Sequence, residues 1–262
     1  MSTTTLERPD LSIRIITIDA VRPDPAPQPF KPHCSTCHLR ELCLPGGMTG
    51  GDVERLDALL FSRRRVRAGQ VVYREGDRFE SMYAVRSGTV KTSLMLADGR
   101  EQVSGFYMAG ELMGLDALAE GAHASTATAL EDAEVCSIPY VHLSEAAVAS
   151  TGMQHLVVRL MSREIVREQG LMLLLGGMNA EERLSAFLLD QSRRLDARGY
   201  SPSEFHLRMS RAEIGSYLGV TLETVSRTFS AFHRQGLIMV NQRHVRIIDM
   251  AGLAGACVLR TH

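Results

Sequence analysis

The segment from Ser210 to Ile248 constrains this chain more than any other. Ser210-Arg211-Ala212-Glu213 has capping-box form and predicts a short helix from Arg211 to Leu218. Gly219 supplies a turn, Thr221 caps a second helix, and Gly236 lies just past that helix's end. Two short helices joined by a tight glycine-containing turn have helix-turn-helix form. Leu237 to Val240, then Asn241-Gln242-Arg243, then His244 to Ile248 predict a β-hairpin, so the unit is a winged one. Successive residues of the second helix lie about 100° apart, which puts Ser226, Arg227 and Ser230 within about 60° of Glu223 and Val225, Phe229 and Phe232 on the far side. One face packs; the other offers an acceptor, hydroxyls and a guanidinium to base edges in a major groove. A plainer reading has Glu223 complement the helix dipole and Arg227 pair with it at i,i+4. The adjoining helix, the wing and the local charge favour double-stranded DNA, since Glu181 to His262 carries eleven Arg against eight acidic residues.

The chain's 262 residues suffice for two modest domains, and 45% hydrophobic content suits a globular protein. No apolar run of about 18 residues occurs, so no membrane span is expected. Met1 to Pro32 lacks a secretory core and ends in a proline-rich run, which predicts a mobile tail and a cytoplasmic protein. The net charge of -1 hides an acidic middle: Glu101 to Val158 holds eight acidic residues and neither Lys nor Arg.

From Gly51 to Ser150, short apolar runs alternate with glycine-centred breaks such as Glu75-Gly76-Asp77 and Ser87-Gly88-Thr89, which predicts a small antiparallel roll. A helix is expected from Met153 to Leu175, ended by Gly176-Gly177. Its heptad pattern puts Val158, Ile165 and Met172 at one seam position and Met161, Glu168 and Leu175 at the other. Such a stripe also suits a helix packed on its own domain. In a symmetric dimer Glu168 meets its own copy, and two facing carboxylates weaken the pair. Asn179 with Glu182 opens a further amphipathic helix through Leu195. The expected fold is α+β: tail and cysteine loop over 1–50, β-roll over 51–150, dimerisation helix over 151–178, and winged helix-turn-helix over 179–262.

Cys34-x2-Cys37-x5-Cys43 brings three thiols within ten residues, close enough for one loop to wrap a metal centre. Thiolates suit zinc and iron-sulfur clusters alike. Cys136, Cys257, His33 and His38 are available as a fourth ligand. Cys34-Ser35-Thr36-Cys37 also has the form of a thiol oxidoreductase motif, but those sit where a strand enters a helix, and here a proline-rich tail precedes. The chain is therefore not read as an enzyme.

Arg211-Ala212-Glu213-Ile214-Gly215-Ser216-Tyr217-Leu218-Gly219-Val220-Thr221-Leu222-Glu223-Thr224-Val225-Ser226-Arg227 resembles the helix-turn-helix of the CRP/FNR family of transcription regulators, and Glu-x-x-Ser-Arg resembles its FNR-type recognition pattern. The resemblance runs back through Asn179-Ala180-Glu181-Glu182-Arg183-Leu184 to about Cys34. It implies a homodimer on palindromic DNA with TTGAT-like half-sites read by Glu223, Ser226 and Arg227. The oxygen-sensing branch carries the same three-cysteine spacing plus one cysteine in the roll, together holding a 4Fe-4S cluster. That implies Cys136 as fourth ligand to Cys34, Cys37 and Cys43, with zinc the alternative, and leaves Cys257 spare. Glu168 matches an acid of the family's dimer helix, which makes Ile165 and Glu168 a dimer switch. The cyclic AMP-binding branch needs an Arg and a Glu in the roll; here Leu115 stands where the ribose-binding acid is expected, and no cyclic nucleotide is expected. Surface loops of the family's roll touch RNA polymerase, and Ala97-Asp98-Gly99-Arg100 is a candidate.

Overall fold

Between residues 62 and 139 the alternating segments pair into two antiparallel sheets. The protein is described from a computed structural model over residues 33–59 and 61–257; the tail expected over Met1 to Pro32 lies outside the described residues. Helix α1 (Gly50–Ala58) precedes strands β1 (Ser62–Val66), β2 (Val71–Tyr73), β3 (Ser81–Ser87), β4 (Thr89–Met95), β5 (Glu101–Met108), β6 (Leu112–Met113), β7 (Thr126–Ala129) and β8 (Ala133–Pro139). Then come α2 (Tyr140–Ala149), α3 (Thr151–Gly177), α4 (Ala180–Asp196), β9 (Glu204–His206), α5 (Arg211–Leu218), α6 (Leu222–Arg234), β10 (Ile238–Asn241), β11 (His244–Ile247) and α7 (Met250–Gly255).

The sheets have strand orders β1-β8-β3-β6 and β2-β7-β4-β5, and their facing side chains Val72, Tyr73, Val85, Val90, Tyr107 and Val135 form the roll's core. Gly88 joins β3 to β4 at φ 80°, and a Cβ there would come within 2.8 Å of the Ala133 Cβ, so only glycine makes this turn. The roll is framed by helices the sequence pattern did not predict, α1 and α2. Strand β1 was also unexpected, because Ser62-Arg63-Arg64-Arg65-Val66 has almost no apolar content; it is held by its pairing with β8 and by Arg64 Nη2 donating to Val72 O at 2.6 Å.

The long helix departs from expectation at its end. Both Gly176 and Gly177 lie inside α3, and the chain turns at Met178, which is buried and extended. Asn179 sets the boundary: its side chain accepts from the amides of Glu181 and Glu182 while Glu182 caps back, so α4 begins there. One face of α3, with Met153, Leu156 and Leu160, packs with Leu44, Leu56, Phe61, Ile138 and Leu143 beneath the roll. The heptad face is solvent-exposed within the chain: Val158 is 63% exposed, Met161 40%, Ile165 57% and Met172 64%. Leu175, expected on that seam, packs instead on the third core. That core joins Leu184, Phe187, Leu188, Val225, Phe229 and Phe232 to Val103 and Phe106 of β5, so roll and C-terminal half share apolar contacts. Among the described residues no helix is long and apolar enough to cross a membrane.

Candidate DNA-reading face and thiol pocket

The C-terminal unit forms as its caps dictate. Ser210 and Glu213 make a reciprocal capping box on α5, Gly219 closes it at φ 64°, and the Thr221 hydroxyl accepts from Thr224 N to start α6. Gly215 is close-packed for the turn, since a Cβ there would meet Val220 O at 2.7 Å. Val225, Phe229 and Phe232 are buried, whereas Glu223 and Arg227 are exposed and Ser226 half-buried, as the helical spacing required. The Arg227 guanidinium donates to Thr224 Oγ1 at 3.2 Å. The Glu223 carboxyl is held below the usual range by its own amide, the Thr221 hydroxyl and then Arg227. Arg211 ties the wing to the packed side of α6: its guanidinium lies 3.3 Å from the Phe229 ring centroid and donates to Gln242 O at 2.9 Å.

Contacts far apart in sequence fix this unit to the roll. Lys91 Nζ, on β4, meets Glu101 Oε1 at 2.9 Å and Glu213 Oε1 at 3.2 Å. Ser216 Oγ accepts from Val103 N at 2.8 Å, and Gln102 Nε2 donates to Ser216 O. Glu111 binds Arg194 Nη2 at 2.5 Å and Arg198 Nη2 at 2.6 Å. No local sequence pattern marks Glu111 or its partners, which lie more than eighty residues away.

Cys34, Cys37 and Cys43 meet Cys136, on β8, in one pocket walled by Leu39, Leu44, Phe61 and Ile138. Cys257 is buried in the C-terminal core, away from it. Burial pushes the Cys34 thiol up to about 12, and Cys43, Asp57, Cys136 and Cys37 add to the rise. Cys43 also reaches about 12 through burial, with the Leu44 amide and Arg163 opposing. Burial raises Cys136 against Arg63 and Arg86, and Arg86 Nη1 lies 3.6 Å from Cys37 Sγ. Soft donors in an apolar wall, with guanidiniums to balance thiolate charge, fit a thiophilic metal centre. Among the described residues no three His, Cys, Asp or Glu side chains converge to hold a single ion. The loop's ends are anchored: the Asp57 carboxylate accepts from Cys34 N at 2.5 Å and Ser35 N at 3.2 Å, and Arg159 Nη1 of α3 donates to Gly46 O at 2.5 Å.

On the seam, Ile165 is exposed, but Glu168 is not the bare acid the heptad pattern suggested. Arg167 Nη2 binds Glu168 Oε1 and Glu164 Oε1, each at 2.6 Å, and the Tyr107 hydroxyl of β5 at 2.6 Å. Burial keeps the Glu168 carboxyl above its ordinary range, Arg167 opposes this, and Glu164 adds to it.

A β-roll, an exposed helix and a winged reading helix, joined through shared contacts, define a DNA-binding transcription regulator. Residues 63–149 match the cyclic nucleotide-binding domain and residues 182–256 the Crp-like helix-turn-helix domain. The chain is 48% identical over 225 residues to the transcriptional regulatory protein btr of Bordetella pertussis, covering 86% of this chain and 93% of that protein. It is 40% identical over 222 residues to the fumarate and nitrate reduction regulatory protein of Escherichia coli, covering 85% and 89%. Its fold is similar to FixK2 from Bradyrhizobium japonicum, with a TM-score of 0.72, 31% identity, and coverage of 78% of this chain and 100% of that one. The chain belongs to the CRP/FNR family of transcription regulators and is not an enzyme.

Proposed function

We propose that this regulator responds to oxygen or a related oxidant. It binds palindromic DNA with TTGAT-like half-sites as a homodimer while Cys34, Cys37, Cys43 and Cys136 hold a 4Fe-4S cluster. The observation that carries this reading is that four cysteines spread over about a hundred residues of sequence line one pocket. When bound, the cluster supplies an oxidant-sensitive centre. The chain's own residues supply the rest. Leu44 packs on Met153, Leu156 and Leu160, and Arg159 holds Gly46, so the cysteine loop rests directly on α3. A loop released from the thiol pocket withdraws those contacts from the helix whose other face carries Val158, Met161, Ile165 and Met172. That exposed apolar face is the dimer seam, and pairing through it sets two α6 helices one DNA turn apart. Glu223, Ser226 and Arg227 then read base edges. The β4–β5 turn Ala97-Asp98-Gly99-Arg100 is exposed and contacts RNA polymerase. A cyclic nucleotide does not fit the reading: Tyr73, Tyr107 and His123 fill the roll, and Glu101 to Val158 has no cation for a phosphate.

The test is anaerobic absorption with iron and sulfide analysis of the wild type beside Cys136→Ala. The expected wild type is brown, bleaches in air and holds about four iron atoms per chain, and Cys136→Ala is depleted of iron. A colourless wild type containing zinc overturns the cluster.

A further inference from the structure

We propose that Arg167 is the residue that lets α3 pair with a second copy of this chain, by removing half of the negative charge each seam would otherwise present. The inference rests on the reading of α3 as the dimer seam.

Glu168 lies on the exposed heptad face, within about 80° of Val158, Met161, Ile165 and Met172 around the helix. Its side chain is 46% exposed, so its outer side faces whatever covers that face. Glu164 stands one turn before it. Unaccompanied, the two carboxylates give each protomer a charge of about -2 at the seam. Arg167 is bound by both at 2.6 Å, which leaves -1. Because repulsion between two like clusters scales with the product of their charges, losing the guanidinium raises it about fourfold at fixed separation.

The guanidinium sits in a place built for it. It lies over the Tyr107 ring at 4.7 Å from the centroid, and its Nη2 reaches the Tyr107 hydroxyl. Gly105, two residues before on β5, leaves the space: a Cβ there would come within 2.6 Å of Arg167 Nη1. Gly105 stands in mid-strand opposite Thr92, where the β4–β5 register shifts, and has no positive φ to account for a glycine. The roll's fifth strand thereby fixes the rotamer of a residue on the pairing helix. The charge offered to a second copy depends on how β5 is seated on α3.

The experiment is sedimentation of the full chain, purified without air, over a range of protein concentrations at low and high salt. Arg167→Ala is expected to weaken the dimer roughly tenfold at about 0.05 M salt, with the gap closing at about 0.5 M, where the Debye length is much shorter. Arg167→Ala combined with Glu168→Gln restores the charge of -1 and is expected to return to within about twofold of wild type. If Arg167→Ala dimerises like wild type, or if the double variant stays as weak as Arg167→Ala, the inference is wrong. The latter result would mean that the lost seat on Tyr107 mattered and the charge did not. Ile165→Arg separates the two levels. If it leaves the dimer intact, α3 is not the seam and the underlying reading falls; if it dissociates the dimer while Arg167→Ala does not, only the role of Arg167 falls.

Discussion

Replacing Glu111 with Gln asks whether charge holds the DNA-reading half on the roll. The carboxylate takes Arg194 and Arg198 and also accepts from Met108 N at 3.0 Å. Arg194 Nη2 reaches Phe106 O at 2.6 Å as well, so the pair is built into the edge of β5. Burial alone would push the Glu111 carboxyl up; Arg194, then Arg198 and the Met108 amide, reverse this and hold it below the usual carboxylate range. Glutamine keeps the shape but turns an amide against two guanidiniums. Breaking a fully buried pair costs about 3–5 kcal/mol, and the residual 28% exposure of Glu111 reduces this to about 2–3 kcal/mol. At this size that is a fall in Tm of about 5–10 °C. The sign of the pH dependence follows from the lowered pKa. The stabilisation is complete above the unfolded-state pKa and is lost as pH falls through the folded value. Thermal unfolding of both proteins, followed by circular dichroism from neutral pH downwards, should show a gap at pH 7 that narrows through the carboxylate range. Equal Tm values at neutral pH, or a gap that persists unchanged in acid, would refute the reasoning.

Two further outcomes test the reading unit. Arg227→Ala should reduce discrimination at one half-site guanine by about 1–3 kcal/mol, measured by fluorescence anisotropy on matched and base-substituted duplexes. An equal loss on every sequence would make Arg227 a phosphate contact instead. Phe232→Ala should cost about 3–5 kcal/mol in urea unfolding, because Phe232 is only 1% exposed in the core beneath α6; a loss under about 1 kcal/mol would contradict that packing.

The C-terminal unit was legible in the sequence because its determinants are local. Ser210, Glu213, Gly219 and Thr221 act within a turn or two of themselves, and the structure has them as caps and as the left-handed turn. Where the fold depends on distant partners, the pattern fell silent. Strand β1 carries three arginines and becomes a strand only by lying against β8. Gly176-Gly177 looked like a break, yet the neighbouring Asn179 cap and buried Met178 decide the boundary. Arg167 and Glu168 are adjacent, and adjacent residues do not face each other on a helix. Their pairing exists because Tyr107 and the space at Gly105, some sixty residues earlier, draw the guanidinium round. The thiol pocket is intermediate: three cysteines announce themselves by spacing, while Cys136 joins them through the placement of β8.

The cysteine loop is tethered at its neck, by Asp57 from α1 and by Arg159 from α3. Fixing a residue's backbone costs about 1–2 kcal/mol of conformational entropy, and closing a free loop costs more. Here the two tethers fix the ends of the loop and leave the stretch between them, with Cys37 and Cys43, as the part that a bound group would hold. In the proposed reading a metal centre would therefore use part of its binding energy to order that stretch, and its loss would free the stretch and the Leu44 contact it carries to α3.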